Sequence, residues 1–168
     1  RRIAPSLPVT INTMGFFYGL DYPSFADVVD FVGYDSYPMW GSKSDYDVAL
    51  EASFTFDLVR GFLNKPWSLM ECTPSQVNWH EICQLKRPGM HMLSCVQALA
   101  HGSDTAMMFQ WRKSRGGPEK FHGAVVGHFR NGPYDLSDVR IDDASLLSRK
   151  EEIIAAVQTV NFGALPQR

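Results

Sequence analysis

The sequence predicts a parallel α/β architecture. Short β-branched or apolar runs recur along the chain, helical patterns separate them, and each run ends in polar or aromatic residues. Strands joined through helices run parallel by right-handed crossovers, and such sheets gather ligands at the carboxyl ends of their strands. A closed (β/α)₈ barrel takes ~250 residues, so the four strands within these 168 residues form either a small open sheet or part of a barrel.

Pro8-Val9-Thr10-Ile11-Asn12 is the first predicted strand, closed by Met14-Gly15. Asp21-Tyr22-Pro23 opens a short helix through Val28-Val29, with Asp21 or Ser24 as its cap. The second strand, Phe31–Asp35, ends in Ser36-Tyr37-Pro38. From Asp45 to Leu63 the apolar residues Val48, Ala52, Phe56, Val59 and Leu63 fall on one helical face. Asn64-Lys65-Pro66 breaks that helix, and Trp67–Met70 forms a third strand that delivers Glu71 at its carboxyl end. A helix beginning near Pro88 carries Met92, Cys95, Val96 and Leu99 on one side and stops at Gly102. The fourth strand, Thr105–Phe109, runs into Gln110-Trp111-Arg112.

Composition narrows the partners. Sixteen Lys and Arg against eighteen Asp and Glu give a formal net charge of −2 with no basic block, so neither nucleic acid nor anionic lipid is an expected partner. No apolar run approaches the ~18–20 residues of a membrane span, and Arg1-Arg2-Ile3-Ala4-Pro5 lacks the layout of a signal peptide, so a soluble chain is expected. Cys72, Cys83 and Cys95 are odd in number and form no CxxC motif, which predicts a reducing compartment rather than a disulfide framework. Aromatics make up 12% of the chain and several stand beside polar residues. Sugar clefts use that mixture, an aromatic face covering the C–H side of a pyranose while polar groups take its hydroxyls.

Among single residues Glu71 leads: it closes an apolar strand, and the Thr73-Pro74-Ser75 turn fixes the backbone behind it. The competing reading is a surface carboxylate at a strand end. Trp79, beside Asn78, supplies an aromatic face, and packing is its alternative role. In the glycine-rich stretch Ser114–Gly123, Glu119 and His122 stand at i and i+3, where both can face one ligand, unless Lys120 simply pairs with Glu119 on a solvated turn. No GxGxxG pattern, Gly-Lys-Ser/Thr run or G-x-S-x-G elbow is present, which argues against a nucleotide loop and a serine triad. His80-x-x-Cys83, with Cys72 and His91 nearby, has metal-binding atoms but matches no common zinc spacing and equally resembles the start of an amphipathic helix, so no metal site is expected.

The chain also resembles the glycoside hydrolase family 42 β-galactosidases. The likeness rests on Pro8-Val9-Thr10-x-Asn12 with Met14-Gly15, on Tyr34-Asp35-Ser36-Tyr37-Pro38, and on Leu69-Met70-Glu71-x-Thr73-Pro74-Ser75 with Val77-Asn78-Trp79. It continues through Lys86–Met90, Ala100–Asp104, Phe109–Arg112 and Glu119–Val126, and spans about Pro5 to His128. The resemblance implies that residues 1–128 are the C-terminal half of a (β/α)₈ TIM barrel, about strands 5 to 8 with their helices. It implies retaining hydrolysis of terminal β-galactose from substrates such as lactose or galacto-oligosaccharides, with Glu71 as nucleophile. Trp79 would flank the galactose, Glu119 and His122 would bind its hydroxyls, and Tyr37 would orient the nucleophile.

The family takes its acid/base from an Asn-Glu pair on an earlier strand, and this chain contains no such dipeptide. The acid/base, the first four strands and the family's cysteine zinc cluster would then lie upstream of Arg1, leaving these residues alone with little or no turnover and with no cofactor. A non-catalytic galactoside-binding or interaction fragment is the alternative. The resemblance further implies a cytoplasmic enzyme and a homo-oligomer, a trimer, for the full-length protein. Residues 129–168 diverge, and Leu146, Ile153 and Val157 predict a helix over about 145–160.

Overall fold

The computed structural model of the protein describes residues 3–127. The divergent segment 129–168 and its predicted helix lie outside the described residues. Four parallel strands form one sheet in the order β1 (Asn12–Met14), β2 (Gly33–Asp35), β3 (Trp67–Glu71) and β4 (Ser103–Ala106). Helix α1 (Asp45–Leu63) connects β2 to β3, and helix α2 (Met90–Ala100) precedes β4. Strands alternating with helices in a parallel sheet are what the sequence pattern predicts.

Helix α1 keeps its predicted bounds because both ends are specified locally. Ser44 Oγ accepts the Asp47 amide at 3.2 Å, Asp45 and Asp47 sit at the positive end of the helix dipole, and Asn64 closes the helix in the left-handed region at φ 49°. Val48, Ala52, Phe56 and Val59 are buried, as their spacing predicts. Phe56 lies 5.0 Å from the Trp67 ring, and Tyr34, Leu69 and Ala98 complete the core between helices and sheet.

Several expected boundaries move, and β2 shortens from the expected Phe31–Asp35 to Gly33–Asp35. Strand β1 is Asn12–Met14 rather than residues 8–12. The earlier residues still run beside β2's approach, with Asp30 N donating to Val9 O at 2.7 Å and Gly33 N to Ile11 O at 3.1 Å, but without a regular ladder. The helix expected from Asp21 to Val29 is a 3₁₀ segment, Tyr22–Asp27, since Pro23 sits in its first turn and Asp21 makes no side-chain cap. Ser24 Oγ instead donates to the Asp21 carbonyl at 2.7 Å. Strand β4 begins at Ser103, whose Oγ accepts the Leu69 amide at 2.9 Å. Residues 107–109 leave the strand but stay tethered, Phe109 N donating to Cys72 O at 2.9 Å.

The buried face of α2 also differs from the expected one. Met90, Ser94 and Ala98 are buried, Cys95, Val96 and Leu99 are half-buried, and Met92 is exposed. Small side chains at Ser94 and Ala98 permit close packing, and Ser94 Oγ is satisfied by the Met90 carbonyl at 2.8 Å, so an apolarity pattern misreads this helix. The stretch from His80 to Cys83 bends without forming a helix.

Because Phe56 is 2% exposed and Phe54 on the same helix is 67% exposed, their truncations should separate sharply. Phe56→Ala is expected to cost about 3–5 kcal/mol and Phe54→Ala less than about 0.5 kcal/mol, read as shifts in the urea midpoint at constant slope.

Candidate active site

The carboxyl ends of β2 and β3 build the site. Along these strands Gly33 pairs with Ser68 and Tyr34 with Leu69, but the register then shifts and Asp35 pairs with Glu71. One residue of β3 is therefore extra, and such an irregularity re-aims the side chain that follows it. Met70 takes the skipped place, packed so closely over Gly33 that a Cβ there would meet its Cγ at 2.5 Å. The Ser36 amide donates to the Glu71 carbonyl at 2.8 Å and locks the two strand ends together.

Side chains around Glu71 then converge. Tyr37 Oη donates to Glu71 Oε2 at 2.7 Å, and burial, followed by that carboxylate, pushes the Tyr37 hydroxyl upward, so it remains a donor. Asp35 is buried, and burial and the neighbouring charge of Glu71 raise its carboxyl to about 6. The Asn12 amide opposes this by donating to both Asp35 oxygens, at 3.1 and 3.3 Å.

A cleft of about 640 Å³ opens over these groups, and Trp79, Glu119 and His122 line it with Tyr37, Asp35 and Glu71. All five residues singled out in the sequence thus meet in one place. Trp79 is 61% exposed at the cleft, with its ring edge-to-face with Tyr37 at 5.5 Å, so it is not a core packing residue. His122 is 1% exposed, held between the rings of Tyr37 and Phe109 at 5.7 and 5.1 Å. Its Nδ1 lies 2.7 Å from Asn78 Oδ1 and 3.6 Å from Glu119 Oε2. Lys120 stacks over Phe121 at 5.1 Å, and no ion pair joins it to Glu119 among the described residues.

Asn78 sets the polarity of this pair. Its Nδ2 donates to the Pro118 carbonyl at 2.8 Å, which leaves Oδ1 to accept, so His122 Nδ1 carries the proton and Nε2 the lone pair. Burial lowers the His122 pKa, with the Glu119 charge opposing, and favours the neutral ring. His122 Nε2 and Glu119 Oε2 are buried with no hydrogen-bond partner among the described residues.

Asp35, Asn78 and Phe109 were not predicted as site residues. Asp35 had a signal in its place at a strand end, and Asn78 in its place beside Trp79, whereas the contact of Phe109 with His122 depends on tertiary packing alone. Gln110, Trp111 and Arg112, expected near the strand ends, do not line the cleft. Arg112 bridges to Val126, and Trp111 is 66% exposed.

Residues 1–140 match the sequence model of glycoside hydrolase family 42, described as β-galactosidase. β-Galactosidase GalA of Bacillus licheniformis is 51% identical over 136 residues, covering 76% of this chain and 20% of the relative. β-Galactosidase Pbg of Clostridium perfringens is 50% identical over 133 residues, with 76% and 19% covered. The chain thus spans about a fifth of the length of the curated relatives it matches. Among solved structures, the cold-adapted β-galactosidase of Rahnella sp. R3 superposes with a TM-score of 0.78 at 45% identity, over 89% of this chain and 22% of that one. A catalytic mutant of a GH42 β-galactosidase from G. stearothermophilus gives 0.74 at 41% identity, over 94% and 23%.

Asp35 makes the stability pH-dependent in a stated direction. A carboxyl held at about 6, above its ordinary 3.8, keeps its proton longer in the folded chain than in the unfolded one. Its contribution is complete below pH ~4 and is lost as pH rises through ~6, up to about 3 kcal/mol. Asp35→Asn is expected to remove that loss, so that urea midpoints of variant and parent diverge between pH 4.5 and 7. Parallel profiles would show that the buried carboxyl carries no such strain.

Proposed function

The chain belongs to the glycoside hydrolase family 42 β-galactosidases, and from that premise we propose that it is the nucleophile-bearing C-terminal half of a retaining enzyme's (β/α)₈ barrel, about strands 5 to 8. Its substrates are β-galactosides such as lactose or galacto-oligosaccharides. The observation that carries the reading is the pairing of Glu71 with Tyr37 at 2.7 Å on the floor of the aromatic and polar cleft.

Tyr37 occupies Oε2 of Glu71 and leaves Oε1 to attack the anomeric carbon. As that bond forms, the glycosidic bond to the leaving group breaks through an oxocarbenium-like transition state, which the carboxylate charge stabilises. Trp79 covers the apolar face of the galactose, while His122 Nε2 and Glu119 Oε2 accept from its hydroxyls. The glycosidic oxygen needs a proton as it leaves, and a carboxylic acid outside these 168 residues supplies it. Water then attacks the galactosyl-enzyme with that group acting as base, releasing Glu71 and a β-galactose. The complete enzyme is a homo-oligomer, as in the family.

Azide separates the roles of the carboxylates. In the full-length enzyme carrying this segment, Glu71→Ala is expected to lower hydrolysis of an aryl β-galactoside on the order of 10³-fold or more, and added azide should restore turnover by forming the α-galactosyl azide. A β-galactosyl azide would make Glu71 the acid/base instead. Undiminished hydrolysis would favour a binding role for the segment, and lactose turnover by the 168 residues alone would refute the need for an external acid.

A further inference from the structure

Behind the strand end that carries Glu71 lies a second cluster of reactive side chains, which the cleft does not use. Cys72 Sγ, a ring nitrogen of His91 and Cys95 Sγ lie within 4.8 Å of one another. This is the one such grouping of cysteine, histidine or carboxylate ligands among the described residues, and it includes neither His80 nor Cys83. We propose that Cys72, His91 and Cys95 form a binding site for a zinc-class divalent cation, with two sulfurs and one imidazole as ligands. The site rests on these three residues and does not depend on the galactosidase reading.

The backbone supports the arrangement from two elements. Cys72 immediately follows β3 and is 3% exposed. His91 and Cys95 stand one turn apart on α2, where the i,i+4 spacing puts both on the same face, and the Cys95 sulfur is 3.9 Å from either ring nitrogen of His91. A tetrahedral zinc ion with bonds of ~2.3 Å to sulfur and ~2.0 Å to nitrogen sets its ligand atoms roughly 3.5–3.8 Å apart. The cluster approaches that geometry, and the half-buried His91 and Cys95 can close the remainder by side-chain rotation.

Charge and donor chemistry agree with it. Two thiolates and an imidazole are a soft to borderline set that selects zinc over magnesium or calcium. The Cys72 thiol donates to the Met107 carbonyl at 3.3 Å, and cation binding would replace that contact and release the proton. Lys86, whose charge acts on both sulfurs, donates to the Thr73 carbonyl. A dication with two thiolates carries no net charge, so this ammonium does not oppose occupancy.

The test is zinc uptake by the reduced full-length protein carrying this segment, counted as the difference between parent and variant against a chromophoric chelator, with cadmium as a probe of metal–thiolate absorption. One equivalent is expected, unchanged in Cys83→Ser and weakened at least about tenfold in Cys95→Ser and in His91→Ala. His91→Ala leaves both sulfurs in place, so it tests the site without disturbing the buried Cys72. No uptake, uptake equally strong without Cys95, uptake lost with Cys83, or uptake that persists in guanidinium chloride would overturn the assignment. So would a Cys72–Cys95 disulfide in the full-length protein that, once reduced, adds no zinc over the Cys95→Ser variant.

Discussion

The register shift between β2 and β3 is the constraint from which the site follows. A regular ladder would set Asp35 against Met70, and Glu71 would lie one place further along with its side chain turned toward the opposite face. The extra residue sends Met70 over Gly33, brings Glu71 level with Asp35, and lets Tyr37, two residues beyond Asp35, reach the glutamate. The absent side chain at Gly33 is part of this device, because any Cβ would collide with Met70.

That placement has an electrostatic cost, which different neighbours divide. Two carboxyl groups end adjacent strands in partly dry surroundings, and only one of them receives a hydroxyl donor from the cleft side. Tyr37 serves Glu71, while Asp35 relies on the Asn12 amide and retains its proton to a higher pH. The unequal treatment gives two carboxyl groups at one end of the sheet different surroundings. Asn12 thus contributes to the cleft without touching it.

The sequence made the α/β layering legible because α1 carries a periodic apolar face and a clear break at Asn64-Lys65-Pro66. The same directness holds for Glu71, whose place after an apolar strand is visible without coordinates. Strand limits were less legible, since residues 8–11 and 107–109 hydrogen-bond beside the sheet without belonging to its ladder. The buried face of α2 was misread because Ser94 and Ala98 are buried for their small size, a property that apolar periodicity does not detect. The irregularity at Met70 left no trace in the residue pattern, and Asp35 was therefore undervalued.

Asn78 ties two distant loops together, one amide group touching both Pro118 and His122. Its two ends have opposite character, so it works as a rectifier: the carbonyl backbone of one loop dictates which atom of the imidazole shows a lone pair to the cleft. Exchanging the amide for an acid would take away the donor to Pro118 and supply a counter-ion to the ring. The histidine would then favour its cationic form and present a donor where it now presents an acceptor. The hydrogen-bonding character of this wall of the cleft is in that sense encoded at a residue that does not line it, and a change of a single heavy atom there can invert it.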